Sequence, residues 1–365
     1  MTPPAELLII GTGLIGTSVG LAASAAGWSV HLTDTDPDRA RIAASLGAGS
    51  VMSETSPLAP TLVLAAVPPA DVGRVCVAAL QTYPQAVVSH VGSVQSKPVL
   101  QVESSGAEVA RFVGGHPIAG REVSGPGAAD PDLFLDRPWV LCRATGTSER
   151  ALRLVRDLAV ACRARPVELT PDEHDRLLAR VSHAPQLVAS ALAASVAGLA
   201  PSAAALSGTG LRDTTRLADS DPVMWGQIAA ANAPAVAEAL RAVAEPLLRM
   251  AAQLETPAAD VEQEVAELMR LGRAGRALLP GKHGRRPVAL ASVHCVIPDE
   301  PGALARLFGE VAAVGVNIEN VRVEHAPGQA VGTAELAVAP ADQQRLIEAL
   351  SQRGWAAGAG AGETL

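Results

Sequence analysis

Residues 7–16 read Leu7-Leu8-Ile9-Ile10-Gly11-Thr12-Gly13-Leu14-Ile15-Gly16, and this stretch decides the fold of the 365-residue chain. Its four apolar residues predict a buried strand, and a helical pattern over residues 17–26 follows directly after the glycines. Between a strand and a helix, Gly11 permits a tight turn, Gly13 lets the backbone approach a pyrophosphate, and Gly16 lets the two elements pack closely. The start of the helix offers unpaired N–H groups to phosphates. The stretch therefore predicts a dinucleotide site rather than a glycine-rich turn that binds nothing.

The dinucleotide implied by the residues around this stretch is NAD. Asp34 ends the second predicted strand, 23 residues after Gly11, where a carboxylate accepts hydrogen bonds from ribose hydroxyls and repels a 2′-phosphate. Asp36 is the rival for this position, and Arg39 could approach a 2′-phosphate, so NADP stays open as the minority alternative. The predicted cofactor-binding residues are Gly11, Gly13, Leu14, Ile15, Gly16, Asp34 and Val67.

Short apolar strands alternate with helical runs up to residue 169, which predicts an α/β Rossmann-type doubly wound sheet over residues 1–169. Several strands are apolar on both faces, as parallel strands beneath helices should be. From residue 170 to 272 an Ala- and Leu-rich helical pattern replaces the strands and predicts an all-helical substrate and dimerisation domain. The clearest predicted strands are Leu7–Ile10, Trp28–Thr33, Thr61–Val67, Ala86–His90, Arg111–Gly114, Trp139–Cys142 and Pro166–Leu169.

The last part of the chain has a different pattern. Residues 273–287 are rich in Gly, Pro and Arg and are interpreted as a linker. Over residues 288–365 the order strand, helix, strand, strand, helix, strand predicts a small ferredoxin-like α+β domain.

Composition and charge exclude several classes of protein. A net charge of −8 gives no electrostatic footprint for nucleic acid. Four scattered cysteines favour neither a zinc site nor a disulfide framework, so we predict no metal and expect reduced thiols in the cytosol. The apolar segment 187–206 is interrupted by Pro201 and is interpreted as a buried helix rather than a membrane span. The cysteines are Cys76, Cys142, Cys162 and Cys295.

A chemical site is predicted around His116, in Gly114-Gly115-His116-Pro117-Ile118-Ala119-Gly120-Arg121-Glu122. This segment follows a predicted strand, at the edge of the sheet where α/β enzymes bind ligands. An imidazole has a near-neutral pKa, which suits a base that takes the proton of an alcohol while its carbon loses hydride. On the residues alone, a structural histidine is an equally good interpretation.

Two guanidinium groups one helical turn apart, Arg212 and Arg216, lie in Leu211-Arg212-Asp213-Thr214-Thr215-Arg216, with Trp225 further along. Such a pair can clamp a dicarboxylate. The residues alone slightly favour a salt-bridged helix start with Asp213.

Together these motifs resemble the prephenate and arogenate dehydrogenase family, over residues 6 to 272. The His116 segment and the Arg212–Ala218 segment, in this order, are the specific part of the resemblance. The matching elements are the GGHPxxGxExSG signature at 114–125, the RDxTRxA…W element at 212–218 with Trp225, a serine-bearing loop at 91–94, an EHD triplet at 173–175 and an SHxP element at 182–185.

The resemblance implies roles for these residues. His116 takes the proton of the ring 4-hydroxyl as hydride leaves that carbon for nicotinamide, and Ser93 bonds the same hydroxyl and orients His116. Arg216 binds a substrate carboxylate, and loss of CO₂ then gives an aromatic product. The implied catalytic residues are His116 and Ser93, and the implied substrate-binding residues are Arg216, Glu122, His174, Arg212, Ser182, Gln186 and Trp225.

Steps of four residues place His174, Ser182 and Gln186 on one helix face and His183 on the opposite face, where we interpret it as structural. The chain departs from the family pattern at His90, Gln95 and Gln186, where Asp, Lys and His are common. The amide of Gln186 can donate or accept, so it selects neither the keto group of prephenate nor the amino group of arogenate.

The function implied is oxidation of prephenate to 4-hydroxyphenylpyruvate. Arogenate dehydrogenase is one alternative, and a non-catalytic regulator that binds NAD and an amino acid is another. A β-hydroxy acid oxidoreductase is disfavoured, because such enzymes typically use a lysine of the helical domain and none lies between Lys97 and Lys282.

Residues 288–357 resemble an ACT domain, through Asp299-Glu300-Pro301-Gly302-Ala303-Leu304 and Gly315-Val316-Asn317-Ile318. The resemblance implies a module that pairs with a second copy and binds an aromatic amino acid, tyrosine first. A purely structural pairing domain is the alternative. We therefore expect a homodimer with a small-molecule substrate, no nucleic-acid partner and no membrane partner. The implied effector-binding residues are Asp299, Pro301, Gly302, Asn317 and Ile318.

Overall fold

The computed structural model describes residues 6–53, 58–121, 123–255, 260–279, 289–325, 330–360 and 363–364. The chain forms two compact units, Met1–Leu247 and Leu248–Leu365. The division falls inside the helix Ala233–Glu255.

The first unit contains an eight-stranded sheet of order β3-β2-β1-β4-β5-β6-β7-β8 within the described residues. All seven predicted strands are present, and the short exposed strand β3 was missed because its two residues have no apolar pattern. The strands are β1 Glu6–Ile10, β2 Ser29–Thr33, β3 Ser50–Val51, β4 Leu62–Ala65, β5 Val87–His90, β6 Phe112–Pro117, β7 Pro138–Arg143 and β8 Arg165–Leu169.

Strands β1 to β6 are parallel, but β7 runs antiparallel to β6, and β8 follows the direction of β7. The prediction of parallel strands is therefore wrong for the last two. The reason is the connection: a parallel neighbour needs a crossover, usually a helix. The described residues between β6 and β7 contain one 3₁₀ turn, Pro126–Ala128, and no α-helix.

Helices cover both faces of this sheet, as a doubly wound fold requires. Leu7 and Ile9 of β1 lie in one apolar cluster, and Leu8 lies in the other. Successive side chains of a strand point to opposite faces, so an apolar run is buried on both. The helices are α1 Leu14–Ala25, α2 Pro37–Ser45, α3 Val72–Thr82, α4 Ser96–Ser104 and α5 Glu149–Ala161, with a 3₁₀ turn at Val109–Arg111.

The helical region begins as predicted. Thr170 and Glu173 form a reciprocal capping box at the start of α6, with Pro171 in its first turn. The elements are α6 Pro171–Leu178, a π-helical segment Ala179–His183, α7 Ala184–Ser195, α8 Pro201–Ala204, α9 Thr209–Thr215, a 3₁₀ turn Arg216–Asp219, α10 Pro222–Ala231 and α11 Ala233–Glu255.

The apolar segment 187–206 is not the buried helix that was predicted. Helix α7 ends at Ser195, and Leu199 and Leu206 are 49% and 86% exposed. Apolar composition predicts burial but does not say which surface provides it.

The second unit contains α12 and the predicted βαββαβ order, with the strands arranged β10-β11-β9-β12. Helix α12 runs to Arg276, so the linker predicted from residue 273 begins within a helix, and residues 280–288 lie outside the described part. The elements are α12 Val261–Arg276, β9 Ala289–Pro298, α13 Ala303–Val314, β10 Asn320–His325, β11 Val331–Val338, a 3₁₀ turn Pro340–Asp342, α14 Gln343–Gln352, β12 Ala357–Ala359 and β13 Glu363–Thr364.

Alternate residues of β9, from Ala291 to Ile297, face the core of this unit. Val293, Cys295 and Ile297 pack with Leu307 and Val311 of α13 and Leu346 of α14. Every neighbouring strand pair is antiparallel. This order is the one that the predicted ferredoxin-like pattern requires.

Candidate active site

The glycine loop connects β1 to α1 with little space for side chains. A Cβ atom on Gly16 would lie 2.0 Å from the carbonyl oxygen of Gly11, so only glycine fits there. Gly13 is the N-cap of α1 and supplies no side-chain cap, and the space where its Cβ would stand is open to 4 Å. The backbone at Gly13 is therefore open to close approach, and the start of α1 has no side-chain cap, which suits a phosphate.

Asp34 follows β2 beside this loop, as predicted. One carboxylate oxygen accepts hydrogen bonds from Thr12 N at 2.6 Å and Thr12 Oγ1 at 2.9 Å, and the other accepts one from Asp36 N at 2.9 Å. Burial would raise the pKa of Asp34, but these hydrogen bonds outweigh it and lower the pKa below its usual range. Asp34 is therefore an ionised acceptor fixed next to the loop.

Asp36, the rival for this role, caps α2 by accepting from Asp38 N at 3.0 Å. It also forms an exposed ion pair with Arg39 at 3.6 Å. Val67 lies just beyond β4, where its Cγ1 would be 3.3 Å from a Cβ on Gly11. The structure thus brings the seven predicted cofactor residues to one edge of the sheet.

His116 lies within β6, where it pairs with Val140 of β7. His116 was predicted to follow a strand that ended at Gly114, but pairing with β7 extends β6 by three residues, to Pro117, so His116 lies inside the strand. His116 does lie at the predicted carboxyl edge of the sheet, since β6 is parallel to β5 and His116 is the penultimate residue of β6. A Cβ on Gly115 would lie 2.5 Å from the carbonyl oxygen of His90, so the strand can approach β5 only with glycine before His116.

A continuous hydrogen-bonded chain begins at His116. Its Nδ1 lies 2.8 Å from Nε2 of His174, and Nδ1 of His174 lies 2.8 Å from Oδ1 of Asp175. The Asp175 carboxylate accepts two further hydrogen bonds, from the backbone N–H groups of Gln95 and Ser96, each at 2.8 Å. His174 is fully buried. It therefore contacts His116 from a position closed to solvent, and its contact with substrate, implied by the resemblance, stays a prediction.

The surroundings keep the His116 imidazole neutral. Burial lowers the pKa of His116 well below its ordinary value of 6.5, and three neighbouring histidines lower it further: His174, His183 and His90. Burial would raise the pKa of Asp175, but its hydrogen bonds from His174, Gln95 and Ser96 lower it overall. The site thus combines an ionised carboxylate with a neutral base.

The serine-bearing loop joins β5 to α4, and its departures from the family pattern have local roles. His90 is buried and accepts a hydrogen bond from Gly92 N at 3.0 Å. Gln95 donates through Nε2 to the carbonyl oxygens of Gly92 at 2.7 Å and Gly115 at 3.2 Å. Gln95 therefore ties this loop, with the half-buried Ser93, to the strand that bears His116.

The helix-face prediction for the SHxP element is wrong. The π-helical segment Ala179–His183 adds a residue to one turn and shifts the phase of everything after it. His183 is therefore buried and Ser182 only half-buried. His183 lies 3.2 Å from Asn232 Nδ2, and its ring meets Trp225 edge-on with centroids 6.1 Å apart.

Gln186 does not face open solvent from α7. It is 4% exposed, and its Nε2 donates to the carbonyl oxygen of Leu217 at 2.5 Å. Its Oε1 accepts from Ser220 Oγ at 3.4 Å. Gln186 is thus an anchor for the 3₁₀ turn that begins with Arg216. The side chains of Arg216 and Arg212 are both exposed on this segment.

Three residues of this site were missed in the sequence: Asp175, Asn232 and Gln95 as a structural link. The available signal was the acid next to His174 in the EHD triplet.

Glu122 lies outside the described residues. Within the described part, no group of three His, Cys, Asp or Glu residues is arranged to hold a metal ion, and no helix is long and apolar enough to cross a bilayer. All four cysteines are free and buried.

The predicted effector residues lie in the second unit, at opposite ends of α13. Asp299, Pro301 and Gly302 precede this 12-residue helix, while Asn317 and Ile318 follow it. At 1.5 Å per residue, the two groups are separated by about 18 Å. Asn317 is exposed and donates to Glu319 at 2.5 Å. One small ligand therefore cannot contact both groups within a single copy of the chain.

Comparison with known proteins gives matches along most of the chain. A family model described as the nucleotide-binding domain of prephenate dehydrogenase matches residues 19–168, and one described as its dimerization domain matches 170–271. A probable prephenate dehydrogenase of Streptomyces niveus, NovF, is 35% identical over 96% of this chain and 98% of its own length. The prephenate dehydrogenase of Bacillus subtilis is 28% identical over 87% of each chain.

Among solved structures, prephenate dehydrogenase from A. aeolicus, in complex with hydroxyphenyl propionate and NAD+, is similar with a TM-score of 0.67. The identity is 27%, and the match covers 74% of this chain and 97% of that one.

Proposed function

We infer the function from one premise, that this chain belongs to the prephenate dehydrogenase family. It is an NAD-dependent dehydrogenase that converts prephenate to 4-hydroxyphenylpyruvate and CO₂. The observation that supports this best is the neutral imidazole of His116, held by His174 at the carboxyl edge of the sheet. That edge also contains the glycine loop and Asp34.

The residues of the loop fit the cofactor. The open space at Gly13 would admit the pyrophosphate, and the ionised carboxylate of Asp34 would accept hydrogen bonds from the ribose hydroxyls of NAD. The chemistry that NAD supplies when bound is acceptance of hydride at its nicotinamide ring. A carboxylate at Asp34 would repel a 2′-phosphate, which favours NAD over NADP.

His116 performs the proton transfer. Hydride leaves C4 of the ring while the 4-hydroxyl proton moves to Nε2 of His116. The bond between C1 and the carboxylate then breaks, CO₂ leaves, and the electron pair of that bond enters the ring. The ring becomes aromatic, and its phenolate oxygen takes the proton back from His116. His116 therefore accepts one proton and later donates the same proton, so the two transfers cancel.

The substrate carries two carboxylates, and the exposed guanidinium groups of Arg212 and Arg216 are suited to bind them. Gln186 fixes the segment on which they lie. Ser93, half-buried beside the strand of His116, is the proposed hydrogen-bond partner of the 4-hydroxyl. Trp225 packs next to His183 and would form part of the pocket wall.

The test is turnover by the purified full chain, followed by NADH absorbance and by chromatography of the product. We expect NADH and 4-hydroxyphenylpyruvate with prephenate and NAD, and much slower turnover with NADP. Turnover with arogenate alone would replace the proposed substrate by its amino analogue. No NADH from either substrate would contradict the enzyme function and leave the regulator alternative.

Dimerisation and effector binding are further parts of the proposal. Exposed Leu199 and Leu206 lie in the region matched by the dimerization-domain model, so we propose that a second copy covers them. The βαββαβ order of the second unit supports an ACT-like module. Because its two effector segments lie at opposite ends of α13, we propose that the amino acid binds between two copies.

Calorimetry on the full chain with tyrosine, phenylalanine and tryptophan tests the effector, with sedimentation of the same sample to give the oligomeric state. We expect heat from tyrosine and a dimer or a larger assembly. Absence of heat from all three amino acids contradicts amino-acid sensing, and a monomer contradicts the pairing.

The four buried thiols fit the cytosolic location that we propose.

A further inference from the structure

We propose that Asp175 and His174 are positioning residues that fix the tautomer of His116, so that its Nε2 presents a lone pair to the substrate hydroxyl. The proposal rests on the proposed function of His116 as the base. It assigns to the EHD triplet a role in setting proton positions rather than in binding substrate.

The direction of each hydrogen bond follows from the carboxylate. Asp175 accepts backbone N–H groups on both oxygens, from Gln95 and Ser96, so both oxygens act as acceptors. Nδ1 of His174, at 2.8 Å from Oδ1, must therefore be the donor. A neutral imidazole has one N–H, so Nε2 of His174 is left as an acceptor. His116 then donates through Nδ1, and the lone pair of His116 is on Nε2.

Burial makes this chain of bonds hard to reverse. His174 is fully buried and Asp175 is 4% exposed, so water does not compete for their hydrogen bonds. Asp175 is held in three ways. It belongs to α6, its carboxylate accepts hydrogen bonds from the start of α4, and its backbone oxygen accepts one from Asn232 Nδ2 at 2.8 Å. The acceptor for His174 is thus fixed in position before any substrate binds.

The other histidines next to this series of hydrogen bonds, His90 and His183, are neutral. Burial lowers the pKa of His90 to about 3 and that of His183 to about 4. Asp175 is then the carboxylate that compensates a positive charge on His116, acting across the His174 ring. An imidazolium formed during turnover would be stabilised in place.

The chemistry requires such a base. The proton taken from the 4-hydroxyl is needed again on the phenolate oxygen after CO₂ leaves. A base that holds the proton at Nε2, without passing it to solvent, serves both transfers. The opposite tautomer of His116 would have a hydrogen on Nε2 and could not accept the first proton.

The direct test observes the tautomer in the unmodified protein. Ring-¹⁵N-labelled histidine and NMR at neutral pH distinguish Nδ1–H from Nε2–H, and the His116→Asn variant assigns the signal. We expect Nδ1–H for His116. An Nε2–H signal overturns the proposal. Because this measurement needs no turnover, it stands even if the wild-type protein fails to oxidise prephenate, an outcome that would contradict only the proposed function.

Two variants of His174 add a kinetic test. In His174→Gln the side-chain amide can still accept from His116 and donate to Asp175, whereas His174→Leu can do neither. We expect His174→Leu to lower kcat by about 10²–10⁴-fold, as loss of a general base does, with KM and NAD affinity near wild type. His174→Gln should recover at least about tenfold of that loss. Equal kcat in both variants, or a loss confined to KM, overturns the proposal.

Asp175→Asn leaves one acceptor oxygen for the three N–H groups that the carboxylate serves, those of Gln95, Ser96 and His174. His174 is then no longer the obligatory donor, so the Nδ1–H tautomer of His116 is no longer fixed. We expect kcat to fall, and the NMR spectrum of the same protein to contain an Nε2–H signal for His116. A loss of activity with the tautomer unchanged overturns the role given to Asp175.

Discussion

Nε2 of Gln186 lies 2.5 Å from the backbone carbonyl oxygen of Leu217, so a buried amide of α7 holds the residue next to Arg216. Gln186, which the resemblance assigns to substrate binding, is in the structure an anchor for the segment that carries Arg216. It predicts that Gln186 acts on substrate binding through Arg216.

Gln186→Leu should raise the KM for prephenate while kcat changes little. The Leu217 carbonyl oxygen keeps its hydrogen bond from Ser220 Oγ but loses the one from Gln186, at a cost of about 0.5–1.5 kcal/mol, and the 3₁₀ turn can then shift. Steady-state kinetics measure the effect, and Gln81→Leu on α3, an exposed position, is the matched control. A drop in kcat with KM unchanged would assign Gln186 to the chemical step instead.

His116→Asn should abolish turnover while the protein still binds NAD. The amide nitrogen of Asn can occupy the place of Nδ1 and donate to His174, but it provides no base at the position of Nε2. We expect kcat to fall by about 10²–10⁴-fold, as measured by NADH absorbance. Fluorescence titration with NADH serves as the binding control. Wild-type kcat in this variant would remove His116 from the mechanism.

Asp34→Asn should weaken NAD binding and reduce the preference over NADP. The amide can keep one oxygen on Thr12 but loses the charge that receives the ribose hydroxyls. Hydrogen bonds to a charged group contribute about 1.5–3 kcal/mol, so we expect the Kd of NAD to rise by about ten- to a hundredfold.

Calorimetric titration of both nucleotides measures this change. Asp38→Asn, an exposed acid of α2 with the same change in charge, is the control and should leave both affinities unchanged. If the two variants behave alike, Asp34 acts only through net charge.

Stability should fall as the pH is lowered through the ordinary range of histidine. Burial lowers the pKa of His90 to about 3 and of His183 to about 4 in the folded chain, while in the unfolded chain both titrate near 6.5. Below pH 6.5 the unfolded chain therefore binds protons that the folded chain does not. The free energy of unfolding is highest above pH 6.5 and decreases as the pH falls toward 4.

Each of these histidines changes the free energy of unfolding by up to about 1.4 kcal/mol per pH unit. Urea unfolding at several pH values measures it. His90→Asn can still accept from Gly92 N through its amide oxygen, so this variant should lose one histidine's share of the slope. Identical slopes in variant and wild type would show that His90 does not titrate as described.

Much of the fold was predictable because its signals are local. Apolar runs such as Leu7–Ile10 predict strands buried on both faces, and Thr170 with Glu173 predicts the start of α6. The reversal at β7 was not predictable from strand composition, since strand direction depends on the connection. The π-helical segment was also hidden, because one extra residue in a turn leaves no mark in the apolar periodicity.

The sequence by itself determined the elements, the nucleotide edge and the choice of His116, because glycine spacing, strand ends and side-chain chemistry are properties of short segments. Only the tertiary structure decided which groups act on that histidine. It brought His174 and Asp175 behind His116, turned His183 into the core and set Gln186 against Leu217. Hydrogen bonds between residues tens of positions apart depend on how strands and helices pack, and burial sets their strength.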